Sequence, residues 1–169
     1  MLEAKNLAEE LAKHVASCPS GIMVCNVGAA VEGWFKVELA QLLAKAAVDS
    51  VNFCYDYPNT REKADLAAKG SWGLSIVEIK CFVQGADSQK MKDWPLQPKR
   101  LLNLVQNDVV AQGVAASTYF GYSEKRISGF LSRFYPAPWS YWGPVPFIVD
   151  APLQLVMATA SNPSHGHAA

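Results

Sequence analysis

Ala4, Leu7, Leu11 and Val15 recur at helical spacing with charged residues between them. This predicts an amphipathic helix from about Glu3 to Ser17. Cys18-Pro19-Ser20-Gly21 ends it, because proline and glycine both interrupt a helix. The run Ile22 to Val27 is apolar and fits either a short strand or a lead-in to the next helix. That second helix is expected from Ala29 or Gly33 to Ala47, with Val31, Phe35, Leu39, Leu42 and Ala46 as its buried stripe. Glu38 falls on the same side, three residues after Phe35 and four before Leu42, spacings at which helix side chains are neighbours. It is either a rim acid that reaches water or pairs with Lys36 or Lys45, or a carboxylate held there for chemistry.

The pattern then changes to strands. Val51 to Tyr55 reads as a first strand, and Pro58-Asn59-Thr60 as a turn before the charged Arg61-Glu62-Lys63. Ala64 to Ala68 is a strand by position more than by composition, since alanine and aspartate both fit strands poorly. Lys69 to Gly73 would be the hairpin loop into a third strand, Ser75 to Val83. Alternate strand residues face opposite sides. One face carries Val77, Ile79, Cys81 and Val83; the other carries Ile76, Glu78, Lys80 and Phe82. Burying either charge alone costs several kcal/mol. Glu78 and Lys80 therefore point into solvent, pair with each other, or face a polar cleft. The hairpin brings Asp65 close to Glu78, although Asp65 taken alone also reads as a turn or cap acid.

Gly85 to Pro98 is polar and reads as a loop. Lys99 to about Gly113 is helical, with Leu101, Leu102, Val105, Val109 and Val110 on its core side. A strand from Ala116 to Tyr122 follows, then a helix to Phe134 with Ser123 as its N-cap. Tyr135 to Pro146, rich in Pro, Trp and Tyr, reads as too irregular for a helix, Phe147–Val149 and Leu153–Met157 as edge strands, and 161–169 as a disordered tail. The order describes a single α/β domain over residues 1–160, a mixed central sheet flanked by helices.

Composition narrows the function classes. The 169 residues carry fifteen basic and fifteen acidic side chains, so attraction for a polyanion must come from local clusters. Lys90, Lys92, Lys99 and Arg100 form one cluster; Lys125, Arg126 and Arg133 form another. Both are phosphate contacts or ordinary solvated faces. Trp94, Trp139, Tyr141 and Trp142 either stack on bases or pack a loop onto the core. The four cysteines include no C-x-x-C pair, which disfavours a zinc site and fits free thiols in a reducing cytoplasm. No leader-like or membrane-length apolar run is present. G-x-S-x-G, Walker-type and G-x-G-x-x-G motifs are absent, and His14, His165 and His167 are scattered.

What remains is Glu38 on a helix, Asp65 near a hairpin, and Glu78-Ile79-Lys80 on the next strand. Two carboxylates suit Mg²⁺, a hard cation that prefers oxygen ligands. Such an ion activates water and neutralises phosphate charge, and a neighbouring lysine stabilises developing negative charge. In this, the chain resembles the PD-(D/E)XK nuclease-like (restriction-endonuclease-like) superfamily, over roughly Val31 to Phe134 and an αβββαβ core. The resemblance implies Asp65 and Glu78 as metal ligands with the carbonyl of Ile79, Glu38 as an added helix carboxylate, and Lys80 as the lysine that positions the attacking water. It implies Mg²⁺, with Mn²⁺ as a substitute, and a nucleic-acid substrate, DNA being the first expectation. Ala64 stands where many members have proline, and no Q-x-x-x-Y element follows the third strand. The competing expectation is a non-catalytic binding protein on the same fold, with segment 135–147 as a partner or homodimer surface and no membrane involvement.

Overall fold

Residues 1–18, 31–46, 49–57, 62–86, 88–146 and 152–162 are described by a computed structural model. Helices α1 (Ala4–Ala16) and α2 (Val31–Lys45) precede strands β1 (Ser50–Asp56), β2 (Lys63–Gly70) and β3 (Gly73–Val83). Then come α3 (Ser88–Asp93), α4 (Leu96–Gln106), β4 (Gln112–Phe120), α5 (Glu124–Phe134), β5 (Ser140–Pro146) and β6 (Leu153–Ser161). The six strands form one sheet in the order β1-β2-β3-β4-β6-β5. β3 and β4 run parallel, and every other neighbouring pair is antiparallel. The mixed sheet with flanking helices agrees with the expected α/β architecture.

The alternation of β3 divides the core as its sequence requires. Val77 and Ile79 join a layer with Leu7 and Leu11 of α1 and Phe35, Leu39 and Leu43 of α2. Ile76 and Phe82 join the opposite layer with Leu101 and Val105 of α4 and Ile127, Leu131 and Phe134 of α5. Cys81, half-buried, packs against the first layer, and burial pushes its thiol up to about 12. The β2–β3 hairpin turns tightly at Ser71-Trp72, pairing Gly70 with Gly73. A Cβ on Gly70 would meet the Trp72 indole at 2.7 Å, and Gly73 sits at φ 108°, a region that favours glycine.

Several boundaries differ from the expectation. Segment 85–98 is not a loop throughout: it holds α3 and the start of α4. Pro98 falls in the first turn of α4, where a missing N–H costs no helix bond. The helix ends at Gln106 rather than near Gly113, with Asp108 at φ 59° beyond it, and β4 begins earlier than expected, at Gln112. Segment 135–146 forms no helix, as expected. It supplies β5, an edge strand that accommodates Pro144 and Pro146, with a register shift between Trp142 and Val145 where Gly143 takes φ 113°. Ser123 caps α5 as expected, its side chain accepting from the Arg126 N–H. Ser161 belongs to β6 rather than to a tail. The expectations for Ile22–Val27, Pro58–Thr60, Phe147–Val149 and residues 163–169 lie outside the described residues. Among those described, no helix is long and apolar enough to cross a membrane.

Candidate functional site

The β2–β3 ladder runs from Gly70↔Gly73 to Leu66↔Val77 and goes no further. On its other side β2 pairs Leu66 with Phe53 and Ala64 with Tyr55, passing over Asp65 and Cys54. Asp65 is thus the one residue of β2 matched on neither side. The face pattern slips at the same place. Ala64 packs with the α4–α5 layer and Leu66 with the α1–α2 layer, although residues two apart on a regular strand share a face. Val51 and Tyr55 of β1 show the same slip, across Cys54 at φ 52°. Such irregularities re-aim side chains.

Released from the ladder, the Asp65 carboxylate takes the place of a strand partner. Its Oδ2 accepts the Ile79 backbone N–H at 2.8 Å. Its Oδ1 lies 2.5 Å from Nζ of Lys36 on α2. Glu78, 7% exposed, stands next along β3 and accepts a hydrogen bond from the Tyr57 hydroxyl at Oε1. Burial pushes the Glu78 carboxyl up to about 7; the Tyr57 bond opposes that shift, and the charge of Asp65 adds to it. Tyr57 is held up in turn, by its own burial and by the Glu78 charge. Two residues on, Lys80 directs Nζ to Glu32 Oε1 at 3.4 Å, while Glu32 Oε2 accepts the Cys81 N–H.

Glu32, Asp65, Glu78, Ile79 and Lys80 line one cleft of about 320 Å³. Glu32 forms one wall, Asp65, Glu78, Ile79 and Lys80 the sheet side, and Lys90, Asp93, Trp94 and Gln97 the wall from α3 and α4. Three of the four expected side chains, Asp65, Glu78 and Lys80, are brought together. Glu38 is not among them. It lies 2.6 Å from His14 Nε2, in the interface between α1 and α2. Helix phase gives the reason: Glu38 is two residues past Lys36, roughly 200° around the axis from the side that reaches Asp65. The buried stripe of α2 runs through Phe35, Leu39 and Leu43, with Leu42 only half-buried. The α2 carboxylate in the cleft is Glu32, one turn before Lys36.

Glu32, Lys36 and Tyr57 escaped the sequence reading. The i, i+4 spacing of Glu32 and Lys36 was a usable signal, since it puts both on one helix face. The expected basic clusters are partly spent on aromatic faces. Arg100 covers Tyr57 at 4.0 Å and pairs with Glu62. Arg126 lies over Tyr122, and Arg133 over Phe130 and Phe134. Trp94 and Trp139 are buried and pack the core; Tyr141 and Trp142 are exposed on β5, with Lys5 over Trp142. His165 and His167 lie outside the described residues.

Among the described residues, no three His, Cys, Asp or Glu side chains converge as a ready metal cluster. The carboxylates of Glu32, Asp65, Glu78 and Asp93 line the cleft, with Ile79 between Glu78 and Lys80. This is a hard donor set suited to Mg²⁺, and two adjacent acids, one of them buried, are a charge arrangement that a divalent ion relieves. No protein-family model, curated protein or solved structure matches the chain.

Proposed function

We propose that this chain is a Mg²⁺-dependent nuclease of the PD-(D/E)XK type, hydrolysing phosphodiester bonds in nucleic acid, with DNA the first substrate to test. One observation carries the reading: Asp65, Glu78 and Lys80 line a single cleft at the end of β3 where the ladder opens. The succession α2, β1, β2, β3, α4, β4 supports it, being an αβββαβ order with the short α3 inserted.

Asp65, Glu78 and the Ile79 carbonyl would hold the ion, which Mn²⁺ could replace. When bound, the ion lowers the pKa of a water and neutralises phosphate charge. The remaining work falls to this chain's own groups. The Ile79 N–H fixes the orientation of Asp65, and the Tyr57 hydroxyl fixes that of Glu78. Lys80 brings a positive charge and three donors to orient the attacking water and stabilise the developing oxyanion. Glu32 pairs with Lys80 at the cleft in the substrate-free protein. Lys90, on the facing wall, is a candidate contact for a flanking phosphate. Thiols at Cys54 and Cys81 accord with a cytoplasmic setting.

A second reading is an interaction protein on this fold. The exposed Tyr141 and Trp142 on β5 favour it as a partner or homodimer surface. The two readings part in a cleavage assay on circular and linear DNA and RNA, with Mg²⁺, Mn²⁺ or chelator, beside Asp65→Ala. Metal-dependent cutting that the variant loses is the expected result. No cutting of any substrate, with no metal binding by calorimetry, would move the assignment to the interaction protein.

A further inference from the structure

On one face of α2, Glu32 and Lys36 stand one turn apart, and each meets a strand residue of opposite charge. Lys36 Nζ is 2.5 Å from Asp65 Oδ1, with the two side chains 24% and 20% exposed. Glu32 Oε1 is 3.4 Å from Lys80 Nζ, a looser pair whose side chains are 39% and 32% exposed. With Oδ2 of Asp65 bonded to the Ile79 N–H, both oxygens of that carboxylate are engaged within the protein. A divalent ion approaching Asp65 therefore meets a cation already in contact.

We propose that Lys36 is a tethered competitor for the metal at Asp65, an ammonium that must withdraw before a divalent ion binds there. This inference rests on the nuclease reading of the same acids. The helix also supplies the place to which Lys36 withdraws. Glu32 lies four residues earlier on the same face, within reach of a lysine side chain at i, i+4. Once Lys36 pairs with Glu32, Glu32 is shared and Lys80 is released toward substrate. Metal arrival and release of the catalytic lysine are then coupled through one turn of α2. A monovalent charge on a flexible stem suits this use, because it neutralises Asp65 in the resting protein and gives way to a doubly charged ion. Arginine at this position would not give way as readily, since its planar fork binds a carboxylate through two parallel bonds.

The test is Mn²⁺ binding by calorimetry to the full chain without nucleic acid, for the unmutated protein, Lys36→Met, Lys36→Arg and Asp65→Asn. Circular dichroism would check that each is folded. Lys36→Met should bind Mn²⁺ roughly fivefold more tightly, the scale of one partly exposed ion pair removed, and Lys36→Arg more weakly than the unmutated chain. In the unmutated protein, the side-chain ammonium resonance of Lys36 should shift on Mg²⁺ addition, a readout that needs no variant to fold. Unchanged or weaker binding by folded Lys36→Met, or a Lys36 resonance indifferent to Mg²⁺, overturns the inference; if Asp65→Asn meanwhile abolishes binding and cutting, the nuclease reading stands without it. Binding by Asp65→Asn equal to that of the unmutated chain removes both.

Discussion

The two ends of the β2–β3 hairpin are built from the same two strands and differ in almost every physical respect. At the closed end the ladder is unbroken from Gly70↔Gly73 to Leu66↔Val77, and the side chains of Leu66, Ala67, Ile76 and Val77 are fully buried. At the open end the ladder stops, and Asp65, Glu78 and Lys80 gather within a few residues. The closed end satisfies its backbone by regular pairing, so its side chains need only be apolar. The open end leaves the Ile79 N–H without a strand partner, and a carboxylate supplies the missing acceptor. Charge is tolerated there because the backbone asks for it and because a cleft admits water. The expensive part of the arrangement is Glu78, buried with Tyr57 as its neutral partner.

Substitutions at the two ends should separate along that line. The largest effects belong to the open end: Lys80→Ala and Glu78→Gln should each lower the cleavage rate on the order of a thousandfold while circular dichroism shows a folded chain. Lys80→Ala cleaving at the unmutated rate would remove the lysine from the chemistry. Next comes the closed end. Leu66→Ala should destabilise the fold by about 3 kcal/mol through the cavity it leaves, read by urea denaturation, yet the folded fraction should bind Mn²⁺ with unchanged affinity. A smaller effect is the pH dependence of the metal-free protein. Glu78 titrates near 4.5 when unfolded and near 7 when folded, so the folded state holds its proton more firmly. Its contribution to stability is complete below about 4.5 and is lost as pH rises through about 7. Thermal melts in chelator should fall across that window, and Glu78→Gln should flatten the fall; an equal slope in the variant would place the titrating group elsewhere. The smallest effect is expected for Glu38→Gln. It should cost about 1 kcal/mol through the weakened His14 bond, with cleavage and Mn²⁺ affinity within twofold of the unmutated chain, whereas a marked loss of metal binding would return Glu38 to the site.

What the sequence made legible follows the same division. The alternation of β3 was plain because that strand is buried on both faces, and each apolar residue reports its own layer. Asp65 was legible through its place before the hairpin, not through any strand propensity. Glu32 went unread because the stripe of α2 is displaced: Leu43 in place of Leu42 moves its centre by roughly 40° toward Glu32 and away from Glu38. Lys36 was legible in part, through its i, i+4 spacing from Glu32; Tyr57 was not, since it follows β1 beyond the slip in register at Cys54 and Asp65. A slip of that kind has no propensity signature. β5 was hidden by Gly143, Pro144 and Pro146, which argue against a strand anywhere except at a sheet margin.

Those prolines have a consequence for how far the sheet can extend. An added strand needs a row of outward N–H and C=O groups in regular register. β5 offers two residues with no N–H at all and a break between Trp142 and Val145. At the opposite margin, Cys54 in a left-handed conformation interrupts β1 in mid-strand. Among the described residues, both borders therefore carry an interruption that disfavours a regular added strand. The same two interruptions disfavour joining the sheets of two copies edge to edge, and with it fibrous growth.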